Sequence, residues 1–239
     1  MSTAQPELKE TLRRREPAEG DGSGVARGVG ALLHSFAEGR SKPKAKEQEV
    51  LDVATNYFLE HGYQGASINA MARSSGISKE SIYRYFSSKK QLFEAVIGRE
   101  LAEYQAGLRR LLSAEKTMSL HDALITIAET VLGVVTTDRA LALRRLIFEE
   151  ARRSPDVGQH YYRIGPEHAL AAIEEVFKSH HTESDFDSAT LSRHFLGMIS
   201  FRMILQRECA MFPAPTRAEI RAQVESIVSD FMKAFLKTR

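Results

Sequence analysis

Cysteine is nearly absent. The single copy, Cys209, can form no disulfide within the chain, and no paired Cys or His spacing offers a zinc site, so a reducing compartment is the expected setting. His180 and His181 are adjacent, which is not metal-ligand spacing on a helix. Net charge is scarce too: +2 does not mark a nucleic-acid binder, because affinity for phosphate depends on where the cations sit. Long apolar runs are missing. The longest, Ala123 to Val135, is interrupted by Glu129 and falls short of a membrane span. The sequence carries charge from its start and lacks an apolar signal region, which argues against secretion and for the cytoplasm. No nucleophile elbow, metal-ligand spacing or pair of catalytic carboxylates is present, so no enzyme activity, metal or cofactor is expected. No segment alternates with a period of two over a strand's length, which leaves an all-α chain.

What is present begins with a segment, residues 1–43, rich in Gly, Glu, Arg and Ser, whose only apolar patch is Val29 to Phe36; it is expected to be a flexible, partly basic tail. Its glycines, GSGVARGVG, have neither the spacing nor the preceding strand of a phosphate loop. Arg40, Lys42, Lys44 and Lys46 follow with no acid among them. Such an arm can lie along DNA phosphates or in a minor groove, or can simply be a solvated linker.

From Glu47 to Glu60 a one-sided apolar stripe, Val50, Leu51, Ala54, Phe58 and Leu59, predicts a helix that ends at Gly62. Ser67 to Lys90 then reads as two short helices, a tight turn at Gly76 and the start of a third, with Ser67 and Ser78 as N-caps. That is the layout of a helix-turn-helix. Its second helix, Lys79 to Phe86, is roughly 12 Å long, suited to entering a major groove end-on. Leu51, Ala54, Phe58, Ile68, Met71, Ile77, Ile82 and Phe86 are its expected core. The domain is placed at residues 44–92.

Ser88 and Gln91 form a capping-box pattern opening a helix that runs past Leu112, long enough to leave the small domain and act as a lever. Further helices are expected for Ser119 to Val135, Arg139 to Arg153, Val157 to Arg163, Glu167 to Ser179, Asp187 to Cys209 and Arg217 to Leu236. Breaks fall at Pro155 and Pro166, and Thr216 with Glu219 makes another capping box. Together these form a second helical domain, residues 93–239.

The run VLDVATNYFLEHGYQGASINAMARSSGISKESIYRYFSSKKQLFEAV resembles the DNA-binding domain of TetR/AcrR transcriptional regulators, without a gap from residue 47 to about 97. Ala142 to Pro166 is similar to the C-terminal region of the AefR-like branch. The resemblance implies phosphate contacts from Ser67, Ser78, Tyr83, Tyr85 and Lys89; Lys44 is a further DNA-binding candidate from the charge of the basic arm. Lys79, Glu80, Ser81 and Arg84 project from the start and exposed side of the second helix as base readers. Glu80 departs from the small residue common in the family; its carboxylate could accept from a cytosine amino group or be turned away from phosphate. For the serines pure capping is the alternative, and for the tyrosines packing of the ring.

One short helix reads too little sequence by itself, so a homodimer on a palindromic double-stranded operator is expected. The resemblance places its interface on the last two long helices. It also implies an inducer site between the central helices, for which Arg144, Phe148, His160, Tyr161, His168 and Arg202 are candidates. The whole reads as a small-molecule-released repressor of efflux or transport genes. The alternatives are an enzyme, or a protein-interaction module, carrying an appended helix-turn-helix.

Overall fold

Helix starts set the frame. Ser67, Ser78, Ser119, Thr137, Asp187 and Thr216 each accept, through a side-chain oxygen, one of the first free amides of the helix that follows. A computed structural model describes residues 45–114 and 118–237; the tail at 1–43 and Lys44 lie outside them. The described residues hold α1 (Ala45–Gly65), α2 (Ile68–Ser75), α3 (Lys79–Tyr85), α4 (Lys89–Ala114), α5 (Leu120–Val135), α6 (Asp138–Ala151), α7 (Pro155–Ile164), α8 (Pro166–Ser179), α9 (Ser188–Glu208) and α10 (Arg217–Phe235), and no strand. The all-α architecture expected from the sequence is the one observed.

The predicted boundaries hold within a few residues, and the departures have reasons. Gly62 breaks α1 with φ 72° and ψ 166°, but the chain resumes a helical turn as far as Gly65. Gly76 takes the left-handed conformation, φ 72°, that the turn before α3 requires. The breaks expected at Pro155 and Pro166 are present, and each proline opens the helix that follows, where a missing N–H leaves nothing unsatisfied. Ser88 caps α4 by accepting from the Gln91 amide. Gln91 reaches back past Ser88 and accepts from the Ser87 amide at 2.6 Å, so the expected box is closed one residue early. The Thr216–Glu219 box is complete.

Two apolar clusters share the lever. The first contains every core residue expected for the helix-turn-helix, together with Leu92, Phe93, Val96 and Ile97 of α4. It continues into Leu143, Leu146 and Ile147 of α6 and Val157 and Ile164 of α7. The second is built on α5 and α8 to α10, with Tyr104 and Leu108 of α4 buried in it; Leu101 packs against both clusters. At 26 residues α4 spans roughly 39 Å, so one rigid helix touches both cores. Polar links reinforce the junction: Gln64 donates to the buried Glu150 carboxylate at 2.7 Å, and Lys90 pairs with Asp156.

Close approach is visible at two glycines. A Cβ on Gly107 would lie 2.9 Å from Thr130 Cγ2, and one on Gly158 would lie 2.9 Å from Ala151 Cβ, so α4 meets α5, and α7 meets α6, at near backbone contact. Among the described residues no single helix is long and apolar enough to cross a membrane. The bent pair α5 and α6 would pass by length and composition, yet Ala123, Leu124, Ile127 and Val131 of α5 are committed to the second core.

Candidate functional site

The N-termini of α2 and α4 converge with the exposed face of α3. Ala66, Ser67, Ile68, Asn69, Tyr83, Ser87, Ser88 and Lys89 line a cleft of about 430 Å³. Free amides and helix dipoles at two helix starts favour an anion there. The cleft gathers Ser67, Tyr83 and Lys89 from the sequence candidates and adds Asn69, Ser87 and Ser88. Ser87 and Ser88 could have been found as the hydroxyls flanking the α4 start.

Each candidate has a definite place. Ser67 Oγ accepts from the Ala70 amide at 3.1 Å, and Ser78 Oγ accepts from the Ser81 amide at 3.1 Å, so both serines are caps whose hydroxyls still face solvent. Ser81 is half-buried, with its hydroxyl 2.9 Å from that of Ser78. Lys79, Glu80 and Arg84 are exposed on α3, and the Lys79 ammonium lies 5.7 Å from the Tyr83 ring centre. Tyr83 is 46% exposed, whereas the Tyr85 ring is half-buried against the first core. Packing therefore accounts for Tyr85, and exposure sets Tyr83 apart.

Lys89 behaves differently from a free phosphate ligand. Its ammonium donates to the Tyr63 carbonyl at 2.9 Å and the Ala66 carbonyl at 3.0 Å, and sits 4.4 Å from the Tyr63 ring centre. The side chain thereby ties the chain between α1 and α2, which carries Ser67, to the start of α4.

A second cavity, of about 80 Å³, lies between α4, α5, α6 and α7. Leu101, Val134, Val135, Ala140, Leu143 and Ile147 give it apolar walls, and Glu100, Thr137, Arg139, Arg144 and Tyr161 supply the polar groups. Arg144, 6% exposed, donates from Nε to Glu208 at 3.0 Å and from Nη2 to the Val135 carbonyl at 2.9 Å. Arg139 grips Glu100 through two bonds, 2.6 and 2.9 Å. Burial alone would raise the Glu100 carboxyl, but hydrogen bonds and charge from Arg139 and Arg99 outweigh it and hold the group below the ordinary carboxylate value. Burial raises Tyr161, so its hydroxyl stays protonated at neutral pH.

Of the six effector candidates only Arg144 and Tyr161 line this cavity. Phe148 is 57% exposed and meets the Tyr161 ring edge-on at 6.2 Å. His160 and His168 are half-buried on α7 and α8, outside its walls. Arg202 is exposed and lines a different cleft near the α9–α10 connection. These four are displaced because helical spacing places a residue on its own helix but not the helices around one another. Among the described residues no group of three His, Cys, Asp or Glu side chains could hold a metal.

On the last two long helices, Leu191, Phe195, Ile199, Ile220, Val224, Val228 and Phe231 are consumed by the chain's own core. Met198, Phe201 and Leu205 remain exposed on α9, at 37%, 70% and 50%.

Comparison with known proteins agrees with this geometry. Residues 50–96 match the family described as bacterial regulatory proteins, tetR family, and residues 122–237 match the AefR-like transcriptional repressor C-terminal domain. An HTH-type transcriptional regulator of Mycobacterium bovis is 26% identical over 185 residues, 77% of this chain and 86% of that one. Among solved structures, a TetR-family regulator of Mesorhizobium loti aligns with a TM-score of 0.70 at 22% identity, covering 83% of this chain and 100% of that one. The flavonoid-responsive regulator FrrA aligns with a TM-score of 0.67 at 25% identity, covering 81% of this chain and 98% of its own. The family and these relatives are regulators, which removes the enzyme alternative. The chain belongs to the TetR family of bacterial regulators and is a DNA-binding transcriptional regulator.

Proposed function

We propose that the protein is a homodimeric repressor that binds a palindromic operator and is released from it by a small molecule held in the cavity between α4 and α7. The observation that carries this reading is α4 itself: one helix opens at the anion-favouring cleft, crosses both cores and lends Glu100 and Leu101 to the cavity wall. A molecule that binds better when α4 is displaced shifts the population toward heads spaced wrongly for DNA. The match to an AefR-like repressor domain supports repression, and the flavonoid response in FrrA's name supports an effector. The AefR-like match is also our ground for placing efflux or transport genes among the targets, and the cytoplasm as the site of action.

In this reading Ser67, Ser78, Tyr83, the first amides of α2 and α4, and Lys44 of the arm hold phosphates, while Lys79, Glu80, Ser81 and Arg84 read base edges. Tyr85 and Lys89 support the surface from behind. The dimer forms through α9 and α10, with Met198, Phe201 and Leu205 covered by the partner. Titrating the full chain onto the DNA upstream of its own gene across a salt series tests the reading. Affinity is expected to fall linearly on a log–log plot as counterions are released, and Arg84→Ala to flatten the preference for that DNA over a scrambled duplex. No binding at low salt would remove the proposal's foundation.

A further inference from the structure

Resting on the reading of this cavity as the effector site, we infer that it is built for a compact organic anion, a small monocarboxylate with an apolar body, that takes Arg139 away from Glu100. Among the groups that line the cavity, Arg139, Arg144 and Tyr161 are donors and Glu100 is the one carboxylate; Glu208, outside the lining, holds Arg144 through Nε. Thr137 is already engaged, accepting from the Ala140 amide and donating to the Val134 carbonyl. An incoming carboxylate meets the Arg139 guanidinium, the Arg144 guanidinium that Glu208 and the Val135 carbonyl already hold, and a phenol, and charge-assisted bonds are roughly twice as strong as neutral ones. A cation would meet the same two guanidinium groups. The cavity limits the body to a few carbons and excludes a ring: the space is about 80 Å³, against about 150 Å³ for an apolar cavity that takes benzene.

Glu100 occupies the position the ligand would take. Its two oxygens accept from Arg139, and one of them also accepts from Arg99 at 3.2 Å. Arg99 in turn donates to Asp52 at 2.7 Å and to the Thr55 hydroxyl, both on α1. When a ligand carboxylate replaces Glu100 on Arg139, Glu100 is left to Arg99 alone and competes with Asp52 for it. The displaced charge is therefore delivered to α1, the brace of the helix-turn-helix.

The experiment is calorimetric titration of the full chain with propionate, 1-propanol and propylamine at matched ionic strength and neutral pH. Propionate is expected to bind about tenfold tighter than the alcohol, and the amine not to bind. Glu100→Gln, which removes the competing anion, is expected to tighten propionate by about threefold or more, Arg139→Gln to weaken it about tenfold, and Arg139→Lys to restore part of the loss. Circular dichroism establishes that each variant is folded. The alcohol or the amine binding as tightly as propionate, or Glu100→Gln leaving propionate unchanged or weaker, overturns the anion assignment alone. Binding of none of the three overturns the effector-site reading with it.

Discussion

Replacing Lys89 with Met separates two jobs that the sequence could not. The ammonium donates to two backbone carbonyls and lies over an aromatic ring, so its removal leaves the Tyr63 and Ala66 carbonyls short of a donor. Hydrogen bonds from a charged donor contribute about 1.5–3 kcal/mol each, and the ring contact about 0.5–1 kcal/mol. The site is half-buried, so water recovers part of this, and a freed side chain regains rotamer entropy; Met keeps the packing of the stem. A net loss of about 2–3 kcal/mol follows, a fall in melting temperature of about 5–10 °C for a chain of this size. DNA affinity falls too, because the segment holding Ser67 loosens, yet the slope of log affinity against log salt is unchanged. Calorimetry and a salt-series titration on the same variant measure both. An unchanged melting temperature with a slope shallower by about 0.9 would show that the ammonium neutralises a phosphate, and would refute the reasoning.

Phe201→Glu places a charge on a side chain that is 70% exposed in the single chain, so it should leave helicity intact while converting the dimer to a monomer by light scattering on a sizing column; a dimer that persists would move the interface elsewhere. Gly158→Ala gains about 0.5–1 kcal/mol of helix propensity but forces a Cβ to within 2.9 Å of Ala151 Cβ. Overpacking of this kind costs about 1–3 kcal/mol, so denaturant unfolding should show net destabilisation. Burial first, then Arg109, lowers the His168 pKa below its ordinary value of 6.5. Between the lowered value and 6.5 the unfolded chain therefore binds more protons, and the contribution is complete above 6.5 and lost as pH falls through the folded value. Denaturant melts at pH 7.5 and 5.5 should show wild type losing more stability than His168→Gln, by less than about 1.4 kcal/mol per pH unit.

The helix-turn-helix was legible because its signals are local. Ser67 and Ser78 cap where an oxygen before an apolar stripe should cap, Gly76 turns where a left-handed residue is easiest, and all eight expected core residues are buried. What failed to show was long-range. Leu143, Ile147 and Val157 join the reading unit's core across many intervening residues, and no periodicity within α6 or α7 says which neighbour their face will meet. The Glu100–Arg139 pair, 39 residues apart, is invisible for the same reason. Arg144 and Tyr161 could be picked as polar residues inside apolar helices, but that signal equally marked His160, His168 and Arg202, which lie outside the cavity's lining. Lys89 was placed correctly at a helix start; the direction of its ammonium depends on a loop that folds back 26 residues earlier in the chain.

Selection of bound duplexes from a pool of random DNA by the full chain tests the central claim most directly, since it presumes neither operator nor effector. The account predicts enrichment of an inverted repeat whose half-site centres lie about one helical turn, 34–36 Å, or more apart. Arg84→Ala should relax one base position in each half. Recovery of no common sequence, or of a single unpaired site indifferent to Arg84, would contradict it.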